Sequence, residues 1–213
     1  MTRWAVLVVA VLGVGFLGCQ DPTEKLSSAN SDECISGLRA VADRGRAADV
    51  ELVAQATHHQ DAVVATEAVR TLGHIRAPAA AEALKKVAVA ESRPVVREEA
   101  VLVLGRQDEA PPVDVLVNVM KSDPAPRVRA AAVSGVARVG SPANVPTLLD
   151  VAERDVDEIV QSRAVGAAET LLGLSFGFDP NASPEERAKV LARMRKMGAA
   201  AAANSRPRRG PNK

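Results

Sequence analysis

The side chains of this 213-residue sequence best suited to acid–base, nucleophilic or metal chemistry are His58, His59, His74, Cys19, Cys34 and adjacent carboxylates such as Glu98-Glu99. A metal site needs several His, Cys or carboxylate ligands at fitting spacing. The histidines have no such company: no HExxH occurs and the cysteines are not clustered. Neither a P-loop, a dinucleotide glycine fingerprint nor a serine-nucleophile elbow is present. Cys34 has no histidine placed beside it to activate a thiolate, so it reads as a small apolar side chain inside the first helix. Glu98-Glu99 reads as a solvated helix flank, and the histidines as surface groups. No catalytic residue, metal or cofactor is expected.

Charged residues at regular intervals suit binding or bracing instead. Glu91, Asp123 and Asp155 alternate with Arg97 and Arg129, with each arginine six positions beyond an acid across a turn. These five residues are expected to form a structural ladder between successive units, each exposed pair contributing about 0–1 kcal/mol.

The elements that position them follow from a repeat. Steps of 32 residues lead from Val64 to Val96, Val128 and Val160, from Ala68 to Ala100, Ala132 and Ala164, and from Val69 to Val101, Val133 and Val165. A further series runs Leu52, Leu84, Leu116, Leu148, followed one turn later by Ala56, Ala88, Met120 and Ala152. Within a unit the spacing is helical: Val96, Ala100, Val101 and Leu104 share one face, as do Val113, Leu116, Val117 and Met120. Gly73 and Gly105 are expected to end helices in left-handed caps. Pro78, Pro111 and Pro142 fall between the two helices of a unit, and Asp123 and Asp155 mark the turn into the next, placed to cap helix starts. Such a helix pair cannot bury its apolar face alone, so units must stack. The fold class is all-α, a short α-solenoid.

Ankyrin units would carry Thr-Pro-Leu-His, which is absent, and tetratricopeptide units large aromatics, of which only Phe176 and Phe178 occur beyond the N-terminal apolar run. The pattern Val-Arg-x-x-Ala-x-x-x-Leu-Gly, present as VREEAVLVLG and less completely as VRAAAVSGVA, resembles the short HEAT-like repeats also found in the phycobilin-lyase family. The resemblance spans residues 32–173 and implies a fold rather than an activity. Beyond it, residues 174–203 form a capping region in which Ser183, Pro184 and Glu186 start a helix and Leu191 and Met194 cover the open edge. Phe176 and Phe178 are expected to seal that end of the core. Residues 204–213 read as a disordered basic tail that solubilises or meets anionic lipid or envelope polymer.

At the other end, Arg3 precedes an uncharged apolar run from Trp4 to Gly18, too short to span a bilayer but suited to an export signal. With the run ending at Cys19, residues 1–18 resemble a bacterial lipoprotein signal peptide, although Phe16 stands where that family usually has leucine. The resemblance implies acylation of Cys19, and Gln20 rather than Asp after it implies the periplasmic face of the outer membrane. Residues 19–31 read as a flexible polar tether. An exported chain seldom meets nucleic acid, and no aromatics are interleaved with the basic end for stacking.

The function expected is that of a lipid-anchored, non-catalytic scaffold or adaptor. Its protein or peptide partner is expected on a concave face lined by the second helices, at Glu82, Lys86, Asn118, Lys121, Asp150 and Glu153. Their mixed signs do not suit a polyanion. An envelope spacer with no discrete partner, or a lyase-like enzyme handling a chromophore, are the alternatives. The first would yield no partner and the second a coloured protein.

Overall fold

A computed structural model describes residues 21–107 and 111–205. Helix formation starts from local signals. Asn30 accepts the Asp32 and Glu33 N–H groups to open α1 (Ser31–Arg44), and Gly45, at φ 59°, closes it in the left-handed region. α2 (Val50–Ala56) is short. The Asp61 carboxylate accepts the Val63 N–H at the start of α3 (Ala62–His74). Proline in the first turn opens α4 (Pro78–Ala90), α5 (Pro94–Leu104) and α7 (Pro126–Val139), where its missing N–H leaves no bond unmade. Between them lies α6 (Val113–Ser122); α8 (Val145–Arg154), α9 (Glu158–Leu172) and α10 (Pro184–Ser205) complete the chain. No strand occurs among the described residues.

Stacking buries the repeated residues. Val64, Val96, Val128 and Val160, and the alanines four positions beyond each, are all fully buried. Leu84, Leu116 and Leu148 join them from the other helix of each unit. Leu52 departs from its series: it is 42% exposed, and Val50, Val53 and Ala56 face the core instead. A 3-10 turn at Ala47–Asp49 precedes α2 and, with its different rotation per residue, changes the phase at which the helix enters. In α6 the buried face is Leu116, Val119 and Met120, while Val113 and Val117 are half-buried.

The chain forms two rows. In one, α1, α3, α5, α7 and α9 pack each against the next; in the other, α4, α6 and α8 meet only sparsely. Glycine sets this difference by close approach. Gly105 sits at an ordinary right-handed φ of −68°, and a Cβ there would lie 2.8 Å from the Gly135 Cα of α7. Gly73 lies inside α3, where a Cβ would lie 2.5 Å from Val103 Cγ1 of α5. Neither is the left-handed cap expected from sequence; the left-handed helix ends are at Gly45 and Gly173. Close backbone approach belongs to the inside of a bend, and on that argument the odd-numbered helices line the concave side, where the sequence reading put the second helices.

Both ends of the stack are closed. Residues expected as a loose tether instead form a 3-10 turn, Pro22–Ser27, packed on α1, with Leu26 against the core. The Cys34 Sγ lies 3.1 Å from the Ser28 carbonyl and 3.3 Å from that of Lys25, and Arg44 pairs with Asp21 at 3.0 Å. At the far end the Ser183–Glu186 capping box forms, and α10 buries Leu191 and Met194 against the last unit. Phe176 and Phe178 are half-buried against the core, and the Arg193 guanidinium lies 5.4 Å from the Phe176 ring centroid. Asn204 belongs to α10. Residues 1–18, expected to be an export signal, Cys19 and tail residues 206–213 lie outside the described residues.

Candidate interaction surface

The regular charges resolve into two separate systems. The first is buried. Arg97 donates from Nε and Nη2 to both carboxylate oxygens of Asp123, at 2.7 and 2.8 Å, 26 residues ahead in the next layer. Its Nη1 donates back to the Glu91 and Ser92 carbonyls, at 2.7 and 3.0 Å. Arg129 repeats this with Asp155 ahead and the Asp123 and Pro124 carbonyls behind. Each guanidinium thus satisfies carbonyls at the end of one helix while clamping a carboxylate of the following layer. The six-residue step from acid to arginine is a backbone contact, and the carboxylate pairing runs forward. Asp123 and Asp155 close the C-terminal ends of α6 and α8; their carboxylates also accept the N–H groups of Ala125 and Asp157. The start of α9 is capped by Asp157.

Ladder ends follow from the repeat. At Arg97's position one repeat earlier stands Ala65, so no arginine from α3 reaches Glu91. Arg93 takes the role: it pairs with Glu91 and donates to the Thr57 and His59 carbonyls of the preceding turn, at 2.9 and 2.6 Å. Its hydrogen bonds, with charge attraction, hold the Glu91 carboxyl down at about 2. Arg129's position one repeat later holds Gln161, which donates to the Asp155 carbonyl without needing a carboxylate ahead. Burial pushes the Asp155 carboxyl up, but Arg129 and the Asp157 N–H outweigh it and leave it below its ordinary value. His59 accepts the Asp61 N–H on Nδ1, and His58 lies 3.5 Å from Glu91. Burial raises the Cys34 thiol and keeps it protonated.

The second system is exposed, on the concave row. Arg39 of α1 pairs with Glu67 of α3, Arg70 of α3 with Glu99 of α5, and Arg127 of α7 with Glu98 of α5. Glu98 and Glu99 are therefore interlayer partners rather than a plain solvated flank. A shallow groove of about 370 Å³ opens where α5, α7 and α9 meet, over Leu102, Pro126, Ala130, Ala131, Ser134 and Arg163. It continues along α7 and α9 past Gly166 and Thr170. Its floor is made of small residues because α7 and α9 pack closely there.

The six positions expected to bind a partner lie on the second helices, in the outer row and away from the groove. Glu82 and Lys86 on α4, and Asn118 and Lys121 on α6, are exposed on the outer row; Glu82 pairs with Lys85 at 2.8 Å. Asp150 and Glu153 on α8 are held by Arg195 of α10, at 2.7 Å each. Both carboxylates stay exposed, so the last helix engages them through one arginine without burying them.

Stacked helix pairs with a packed inner row define an α-solenoid. Residues 23–105 and 86–169 both match the family model of HEAT repeats, so the chain belongs to the HEAT repeat family. No curated protein matches it. Among solved structures it is similar to an engineered protein, at 20% identity over 84% of this chain and 96% of that one, with a TM-score of 0.49. It is also similar to two designed armadillo repeat proteins. One, at 17% identity, covers 83% of this chain and 98% of its own, with a TM-score of 0.48. The other, in complex with the peptide (KR)4, is 16% identical over 83% and 99%, at 0.49. The solenoid is a fold typical of non-enzymatic scaffolds and protein-interaction surfaces.

Proposed function

We propose that this chain is a lipid-anchored, non-catalytic scaffold of a bacterial envelope, at the periplasmic face of the outer membrane, that holds a protein or peptide partner on its concave row. The observation that carries the reading is the groove across α5, α7 and α9. It lies on the row taken as the inner side of the bend, where an extended partner touches several layers at once, and no α10 residue lines it, whereas Arg195 of α10 engages Asp150 and Glu153. The carboxylates along this row, Glu67, Glu98 and Glu99, are engaged by arginines, which suits a recognition surface better than acid–base work.

Cys19 stands two positions before Asp21, which Arg44 fastens to the first layer. Acyl chains on Cys19 hold the solenoid by its first layer close to the bilayer, with only Gln20 as spacer. No helix among the described residues is long and apolar enough to cross a membrane, so attachment in this reading rests on the lipid. The test combines fractionation of wild type and Cys19→Ala with in-cell crosslinking of wild type and a form lacking residues 204–213. Wild type in the membrane fraction with one discrete crosslinked protein, and release of Cys19→Ala, is the expected result. A wild type that fractionates as soluble removes the anchor; an anchored protein with no crosslinked partner leaves an envelope spacer.

A further inference from the structure

Along the concave row each interlayer step from α1 to α7 is bridged on its exposed side by an Arg–Glu pair. No Arg–Glu pair between described residues of α7 and α9 bridges the next step. Arg163 of α9 is exposed over the groove with no side-chain hydrogen bond or ion pair among the described residues, and α7 lines the groove with Pro126, Arg127, Ala130, Ala131 and Ser134, none of them acidic. The two acids nearest in the lining are engaged elsewhere: Glu98 is paired with Arg127, and the Asp157 carboxylate accepts the Ile159 and Val160 N–H groups. Of the two arginines lining the groove, Arg127 is ion-paired and Arg163, over a floor of small side chains, has no ion-pair partner among the described residues. Its rim is apolar. Ile159 is 63% exposed and lines it, and Val156, 93% exposed, stands three positions earlier in the turn leading into α9.

Resting on the scaffold reading above, we propose that the α5–α7–α9 groove receives an extended segment of the partner protein that sets an acidic side chain against Arg163 and aliphatic side chains against Ile159 and Leu102. The chemistry is complementary in both respects. A carboxylate supplies the counter-ion that the missing rung lacks, and a guanidinium fork suits it as a bidentate partner. Aliphatic neighbours cover the exposed rim. In an extended segment, side chains at i, i+2 and i+4 share one face, so a Leu-x-Glu-x-Leu pattern presents all three to the groove. The small floor of Ala130, Ala131 and Gly166 admits the backbone of such a segment.

The probe is a fluorescein-labelled peptide, Leu-Ser-Glu-Ser-Leu, with Leu-Ser-Lys-Ser-Leu as its charge-reversed control. Both are titrated onto the full chain in detergent, with binding read by anisotropy and the contact surface by amide shifts. The Glu peptide is expected to bind and to shift the amides of Ser134, Gly166 and Thr170. Arg163→Glu should weaken it by about tenfold or more, and Arg163→Lys by less. Arg76→Glu, the same charge change in the turn between α3 and α4, should leave affinity unchanged. Equal binding of the Lys peptide, shifts elsewhere, no binding of either peptide, or indifference to Arg163→Glu overturns the proposal. So does a concentration-dependent dimer that occupies the groove, because the occupant is then a second copy. If these peptides fail while a photo-crosslinker at Ser134 still captures a discrete protein in cells, the acidic chemistry alone falls. If no position on the row captures one, the scaffold reading falls with it.

Discussion

Replacing Arg97 with methionine removes a buried cation while keeping most of its volume. Arg97 is 5% exposed and makes four hydrogen bonds, two to Asp123 and two to carbonyls ending α4. Without it the 8%-exposed Asp123 keeps only the Ala125 N–H as partner in this set. Stranding one member of a buried ion pair costs about 3–5 kcal/mol, about a fifth or more of the roughly 5–15 kcal/mol that holds a typical domain folded. Asp123→Asn keeps an acceptor for Ala125 but leaves Arg97 without its counter-ion, so it should be destabilising too. In the double variant neither charge is left stranded, so its cost should fall short of the sum of the singles by a coupling energy of up to about 3 kcal/mol. The assay is urea unfolding followed by circular dichroism, at low and high salt. Screening acts weakly on buried pairs, so the coupling should persist at high salt. A loss below about 1 kcal/mol for Arg97→Met, or a coupling that salt abolishes, is the behaviour of a surface pair and refutes a buried ladder.

Three further expectations concern the same stack. Leu116→Ala, at a fully buried position in the central unit that contacts Gly135, should cost about 2–5 kcal/mol in a thermal melt; no loss would contradict the packing register. Gly105→Ala places a methyl 2.8 Å from the backbone of Gly135 and should destabilise by about 1–3 kcal/mol. Gly166→Ala meets nothing within 4 Å inside α9 and should stabilise by about 0.5–1 kcal/mol; equal effects at the two sites would refute the close approach of α5 and α7. The third is acid sensitivity. Glu91 is held at about 2 when folded, against 4.5 for a free glutamate, and Asp155 below its usual 3.8. A folded value below the unfolded one contributes stability that is present above the unfolded value and lost as pH falls through the folded one. Tm should therefore be level above pH 4.5 and fall from there toward 2, with a smaller fall in Glu91→Gln; an unchanged acid profile in that variant would refute the Arg93 contact.

The repeat was legible in sequence because stacking demands the same apolar residue at the same helical phase in every layer, and Val64, Val96, Val128 and Val160 meet that demand. Residue types along the ladder were legible too, but their pairing was not. Arg97 reaches a carboxylate 26 residues on because the next layer returns there, a distance that spacing within one unit does not reveal. Arg93 was readable from a substitution at one repeat position: with Ala65 where an arginine should stand, Glu91 needs another cation. Leu52 strayed because a 3-10 turn alters the phase of α2. Which row lies inside the bend depends on how closely α5 approaches α7 at Gly105 and Gly135, a backbone distance with no periodic signature. The ion pairs of Asp150 and Glu153 were not legible for a related reason, since Arg195 reaches them from 42 to 45 residues away through a helix outside the repeat.

The most direct test of the account places a photo-crosslinking residue at Ser134 in the groove and, separately, at Asn118 on the outer row, in cells expressing the full chain. A discrete protein captured from Ser134 and not from Asn118 is the predicted result. Capture from Asn118 alone would contradict the concave row as the partner's seat and return it to the second helices.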